Sequence, residues 1–291
     1  MTHRTTILAA GGCLSLFLGG FAITGQPLVY VNLTALAVVA SGTLAAALLA
    51  HGLPTLEEAW RLLRESLRRE REPLGRLVRD MLVLRLRLER QGPRALEDAG
   101  VTRPEMVRAL RLVSENFSEI EVREVLGCQI QFDRGAYENG QRVFRNMAGF
   151  APAFGLAGSV IGLVGLLAGI ADTALILKSI PVALVSTLYG ILASNFLLLP
   201  AAERIRRLQH AETRQSLLIL EGAAAMARGQ DLVRLVERLN SMLPPSERIS
   251  DPEVLGRLKR LALLGDRAAS DPRETVDATR MDAAAERPHV A

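Results

Sequence analysis

The stretch Met147-Ala-Gly-Phe-Ala-Pro-Ala-Phe-Gly-Leu-Ala-Gly-Ser-Val-Ile-Gly-Leu-Val-Gly-Leu-Leu-Ala-Gly-Ile-Ala171 decides the fold. It contains no charged residue. A helix needs about 20 apolar residues to cross the hydrocarbon core of a bilayer. Helices suit that core because they satisfy their own backbone polar groups where no water can. The stretch is therefore read as a membrane span. Gly155, Gly158, Gly162, Gly165 and Gly169 recur along it at spacings of 3, 4, 3 and 4. At about 100° per residue they fall within roughly 80° of arc. Such a narrow glycine stripe predicts a face that another helix approaches closely. Ser159 borders it.

Three further segments share this character. Residues 7–23 are short but uncharged, residues 28–50 follow at once, and residues 180–202 follow the central stretch. A secretory signal peptide is the rival reading of residues 7–23. The weak basic start and the lack of a clear cleavage site before Gln26 favour a retained helix. The connections 24–27 and 172–179 are short, so the four spans pair as two hairpins. The expected fold class is an all-α membrane protein with a helical cytoplasmic domain at residues 51–146. Further cytoplasmic helices are expected over 203–264 and a disordered tail over 265–291.

Charge sets the orientation. Residues 51–146 hold 18 Arg against 16 acids, and Arg204, Arg206 and Arg207 follow the fourth span. The two short hairpin loops offer only Lys178 as a base. Basic residues stay on the cytoplasmic side, so both termini and the long middle segment are expected in the cytoplasm of a bacterial inner membrane. Within that segment Leu56, Trp60, Leu63 and Leu67 recur at helical spacing. Leu82, Leu84, Leu86 and Leu88 alternate with arginines, which admits a strand, but the charged context favours a helix. Gly92-Pro93 and Gly100 break the pattern. A helix is expected over 106–116, and a long one over 119–146 that runs into the third span. Residues 231–243 read as a short amphipathic helix closed by Pro244-Pro245.

The composition excludes several classes. The formal charge is +4, but acids are interleaved with the arginines, and no basic face carries the aromatics that nucleic-acid binding uses. Cys13 and Cys128 form no C-x-x-C, and His3, His51, His210 and His289 have no ligand spacing, so no disulfide framework, metal site or cofactor is signalled. An intramembrane hydrolase needs a nucleophile with a base. Ser159, Ser186 and Ser194 have no His or Lys at membrane depth, so no catalytic residue is assigned. A carrier would show broken helices and inverted repeats, and the two hairpins have no evident similarity.

The polar residues of the spans are hydroxyls. Ser186, Gly190 and Ser194 share a face of the fourth span at four-residue spacing, with Thr187 one step round. Such hydroxyls often bond only their own backbone. Proton relays use a titratable group at membrane depth, and the third and fourth spans hold none. An ion-conducting role would then require a partner that supplies the carboxylate. Pro152 and Pro200, at the cytoplasmic ends of these spans, each remove a helix hydrogen bond and permit a bend.

Four motifs carry a family resemblance. Phe150-Ala-Pro-Ala-Phe-Gly-Leu-Ala-Gly-Ser-Val-Ile-Gly-Leu-Val164 and Val182-Ala-Leu-Val-Ser-Thr-Leu-Tyr-Gly-Ile-Leu-Ala-Ser-Asn195, with Leu199-Pro-Ala-Ala-Glu203, resemble the third- and fourth-span signatures of the MotA family of flagellar motor stator subunits. Ala40-Ser-Gly-Thr-Leu-Ala-Ala46 and Leu243-Pro-Pro-Ser-Glu-Arg248 resemble its second-span and C-terminal elements. The similarity covers roughly residues 7–248.

This resemblance implies a homopentamer around a dimer of a MotB-like single-span partner. The partner's aspartate would carry H+ or Na+, and the ion flow would drive torque on the flagellar rotor switch protein. It implies an ion path at Ser159, Thr187 and Ser186, and hinge or gating roles for Pro152 and Pro200. It also implies rotor contacts at Arg90 and Glu97, and packing roles for Gly190 and the glycine stripe. The sequence departs from the family at Gln129 and Gln131, where acids are usual, and at 177–182. A TolQ/ExbB-type energiser of another envelope process is the alternative. Those proteins usually place the large cytoplasmic segment after the first span, whereas here it follows the second.

Overall fold

A computed structural model of the chain describes residues 11–13, 15–16, 19–20, 30–68, 73–92, 103–168 and 173–249. Over these residues the regular structure is helical throughout. Most of the expected first span, Gly169, Glu97 and the expected tail lie outside the described residues. Among the described residues, three helices are long and apolar enough to cross a membrane: Leu33–Arg68, Glu119–Leu167 and Ala183–Ala227.

Helix α1 spans Leu33–Arg68. The Oδ1 of Asn32 accepts the N–H of Ala35 at 3.0 Å, capping the first turn. The helix therefore starts at Leu33, not at residue 28, and it continues past residue 50. Its axis breaks at Gly52, with φ 73° and ψ 161°, two residues before Pro54. Only glycine takes that conformation without steric cost, and Pro54 cannot donate back to the Ala50 carbonyl. Beyond the kink the buried face is Leu56, Ala59, Leu62 and Ser66. The predicted stripe is rotated: Leu56 is buried, but Trp60 and Leu67 are exposed.

Helix α2 spans Leu74–Gln91 and α3 spans Pro104–Ser114. The Leu/Arg alternation at 82–88 is thus helical. Leu82 and Leu84 are buried, while Leu86 and Leu88 lie at the margin. Helix α4 runs unbroken over Glu119–Ala168, 50 residues, as the sequence predicted for the join at residue 146. It opens with Ser118-Glu-Ile-Glu121, a reciprocal capping box. Ser118 N–H donates to Glu121 Oε2 at 2.8 Å, and Glu121 N–H donates to Ser118 Oγ at 3.4 Å.

Helix α5 spans Thr173–Leu192, a π-helical segment follows at Ala193–Leu198, and α6 spans Leu199–Ala227. Because α5 starts at Thr173, the expected loop 172–179 is mostly helix, and Lys178 stands on that helix. The last helix, α7, spans Leu232–Asn240 behind an Asp231 cap, and Pro245–Glu247 forms a 3-10 turn.

The chain divides into two compact units. One contains residues 1–68 and 137–207. Its core joins Ala47, Leu56, Ala59 and Leu62 of α1 to Val143, Phe144 and Met147 of α4 and Ala202 and Ile205 of α6. Gly140 sits at this contact, where a Cβ would lie 2.8 Å from Leu62 Cδ1. His51 Nε2 lies 3.0 Å from Asn146 Nδ2 in the same unit.

The other unit contains residues 69–136 and 208–291. Its core includes Val78, Met81 and Leu82 of α2, Met106 and Leu110 of α3, Val122 of α4, Leu218 and Ile219 of α6 and Leu235 and Leu239 of α7. Leu243 belongs to this core. Glu247 Oε2 accepts the N–H of Gly75 at 2.9 Å, capping α2, whose own N-cap is a proline without a side-chain acceptor. The Leu243–Arg248 motif is therefore a distant helix cap.

Candidate functional site

The glycine stripe of α4 meets α5. A Cβ on Gly155 would lie 2.9 Å from Ser186 O, one on Gly158 2.7 Å from Ser186 Oγ, and one on Gly162 2.6 Å from Ala183 N. From the other side, a Cβ on Gly190 would lie 2.5 Å from Ala151 O. These separations are shorter than van der Waals contact allows, so only glycine permits the two backbones to touch. Gly165 continues the stripe toward the end of α4. The opposite face of α4 carries exposed Leu156, Val160, Leu163, Val164 and Leu167. This division follows from spacing, since 156, 163 and 167 lie about 80–120° from Gly155.

Close approach brings the hydroxyls together. Ser159 Oγ lies 2.6 Å from Thr187 Oγ1, donates to the carbonyl of Ala183, and lies 3.2 Å from that of Gly155. Thr187 Oγ1 is 3.5 Å from the same Gly155 oxygen. Two hydroxyls and two backbone carbonyls from two helices thus form one oxygen cluster. Ser186 is fully buried behind Gly158. Hydroxyls and carbonyls do not titrate near neutral pH, so this cluster can coordinate a hard cation or hydrogen-bond a water but cannot itself store a proton. Sequence spacing singled out both hydroxyls. That they face one another required the packed pair.

The prolines have local consequences. Pro152 leaves the carbonyl of Ala148 without its usual i+4 donor. Ser194 Oγ donates to that oxygen at 2.7 Å, and the bond is buried. Ser194 belongs to the π-helical segment that precedes Pro200, where the N–H of Leu199 bonds back to Ser194 O. π-Segments of this kind widen a helix by one residue and recur at functional sites. Four-residue spacing places Ser194 on the hydroxyl face but carries no sign of its link to Pro152. Only a contact 46 residues apart in sequence reveals it.

Other predicted residues lie apart from this cluster. Arg90 stands near the end of α2. Tyr189 OH, not singled out by the sequence, donates to Tyr30 O at 2.5 Å and accepts the Asn32 N–H at 3.0 Å, tying the start of α1 to α5. Among the described residues no group of three His, Cys, Asp or Glu could hold a metal ion.

Charge is concentrated in the second unit. Arg123 makes two bonds to Glu221, at 2.7 and 3.0 Å, and one to Glu119 at 3.0 Å. Arg238 also holds Glu221, at 2.8 Å, and Arg228 holds Glu119. The Arg228 and Arg123 guanidiniums keep the Glu119 carboxyl down at about 2. Arg123, with Arg238, lowers Glu221 to about 2 against a smaller opposing effect of burial.

The site is thus a glycine-sealed helix pair that holds an oxygen cluster of two hydroxyls and two backbone carbonyls, in a helical protein with segments apolar enough to cross a membrane. Residues 97–216 match the MotA/TolQ/ExbB proton channel family. It is similar to Motility protein A of Borreliella burgdorferi, 26% identical over 174 residues, which covers 59% of this chain and 67% of the relative. It is also similar to Motility protein A of Cereibacter sphaeroides, 25% identical over 226 residues, covering 78% of this chain and 89% of the relative. In fold it resembles a chain in the structure of the flagellar MotAB stator complex from Bacillus subtilis, with a TM-score of 0.72 and 23% identity, covering 85% of this chain and 98% of that one.

Proposed function

We propose that this chain is a stator subunit of the flagellar motor, working with a MotB-like single-span partner in the inner membrane. The observation that carries this reading is the Ser159–Thr187 oxygen cluster on a seam that holds no carboxylate among the described residues. A seam of this kind becomes an ion path only when another chain brings a titratable group to it. The similarity to Motility protein A and to a MotAB stator chain agrees with that requirement.

In this reading Ser159, Thr187 and the Gly155 and Ala183 carbonyls pass H+ or Na+ along a partner's aspartate. Ser186 supports the path from behind Gly158. Pro152 and Pro200 bend the two helices at their cytoplasmic ends as the carboxylate changes charge, and the Ser194–Ala148 bond keeps the two bends in register. Five copies surround a partner dimer, with both termini cytoplasmic and four spans per copy. Arg90 and Glu97 contact the rotor switch protein.

The test is complementation of a strain lacking the stator gene, scored by swimming speed, together with a cytoplasmic pH or Na+ reporter. Thr187→Ala is expected to abolish ion-coupled swimming while the complex still co-purifies with its partner. Wild-type swimming and flux in that variant would overturn the assignment of the path.

A further inference from the structure

The chain contains a single tryptophan, Trp60. It lies on α1 beyond the Gly52 kink and is 48% exposed. Its ring stands edge-on to Phe144, with centroids 5.4 Å apart and planes at 78°. Phe144 precedes Met147, the first residue of the charge-free stretch, by three positions on α4, about 4.5 Å at 1.5 Å per residue. The headgroup layer extends roughly 5–8 Å beyond the hydrocarbon on each side. The contact with Phe144 therefore sets the depth of Trp60 within that layer.

The surroundings match that depth. Leu53 precedes Trp60 by seven residues, within about 20° on the helix surface, and is 59% exposed. The two form an apolar strip that follows the exposed Leu48 and Leu49 of the membrane-crossing part of α1. Arg61 and Arg64 are exposed beside the strip, and Arg142 and Arg145 are exposed on the turn of α4 that carries Phe144. Arg61 pairs with Glu58 at 3.1 Å, with the arginine side chain 70% exposed, and such a pair holds weakly. Glu57 and Glu65 are the other acids on this part of α1, and Glu138 stands one turn before Arg142 on α4. Anionic headgroups complement the exposed Arg61, Arg64, Arg142 and Arg145, and an indole with an apolar body and one N–H donor suits the layer where lipid meets water.

We propose that Leu53 and Trp60 anchor α1 in the headgroup layer of the cytoplasmic leaflet, and that Arg61, Arg64, Arg142 and Arg145 bind anionic phospholipid headgroups there. This rests on the membrane-spanning orientation proposed above. The test uses the full-length chain in nanodiscs of phosphatidylglycerol and phosphatidylcholine, reading Trp60 fluorescence. Lipids brominated near the glycerol backbone are expected to quench it, and those brominated near the chain end are not. Quenching by aqueous acrylamide with no lipid quenching overturns the proposal, and so does shielding from both, which would mean that protein covers the ring.

Ile161→Trp in a Trp60→Phe background serves as the control within the span. If it is quenched by deep bromines while Trp60 is not, only the anchor fails. If neither is quenched by lipid, the membrane orientation fails as well. In a second arm, Arg61→Gln and Arg64→Gln should each lower the selectivity for spin-labelled phosphatidylglycerol over phosphatidylcholine by about fivefold. Unchanged selectivity overturns the headgroup assignment.

Discussion

At the residue scale the seam between α4 and α5 turns on missing side chains as much as on present ones. Gly190 faces Ala151 O where a Cβ would sit at 2.5 Å. Gly190→Ala must push the helices apart, at a cost of about 1–3 kcal/mol, with the Ser159–Thr187 contact weakened as a result. We expect a lower melting temperature in detergent and reduced ion coupling. A variant as stable and as active as the parent would show that the backbones do not approach this closely. Ser194 is a second sensitive point. Ser194→Ala leaves the Ala148 carbonyl buried without a donor, which costs about 1–3 kcal/mol. Thermal unfolding should register that loss, whereas Ser194→Thr, which keeps the hydroxyl, should restore most of it.

At the scale of the element, the start of α4 is pinned by charge and by its cap. Glu119 and Glu221 are held at about 2 by arginines from α4, α7 and the turn after α6. Glu121 is also lowered, first by the Ser118 hydroxyl and then by the Ser118 backbone N–H. All three carboxyls have folded values below their ordinary ones. The stabilisation from Glu119 and Glu221 is therefore fully present above about pH 4.5 and is lost as pH falls toward about 2. Unfolding of the second unit should sharpen over that window and stay flat between pH 6 and 8. Glu221→Gln should flatten the acid limb, and an acid limb that does not change would remove this pair from the explanation. The capping box at Ser118–Glu121 joins residues three positions apart, which makes it a local signal. The Glu247 cap on Gly75 is not one, because its partners are 172 residues apart.

For the whole molecule, the reading as a stator subunit makes the isolated chain incomplete. Native mass measurement should find five copies, with a partner dimer when the two are produced together. A stable monomer would overturn the stator reading. Charge reversal at Arg90 or Glu97 is expected to reduce torque while the assembly remains intact, as read by tethered-cell rotation and co-purification. If neither reversal changes rotation, the rotor contact lies elsewhere on the chain.

Length, charge and glycine period determined by themselves that the central stretch crosses a membrane, that α4 runs on from the charged region without a break, and that residues 155–162 form a packing face. These are one-dimensional signals. A bilayer demands an uninterrupted apolar helix, and helical periodicity assigns residues to faces without knowledge of the partner. The glycine period placed Ser159 beside that packing face, and the family resemblance implied an ion path at Ser159 and Thr187. Their meeting at 2.6 Å, the replacement of a donor lost at Pro152 by Ser194, and the exposure of Trp60 beside the buried Leu56 were decided only by tertiary structure. Periodicity places a residue on a face of its own helix. Which neighbour covers that face depends on crossing geometry, on the kink at Gly52 and on the extra residue in the π-helical segment, and each of these rotates the faces after it.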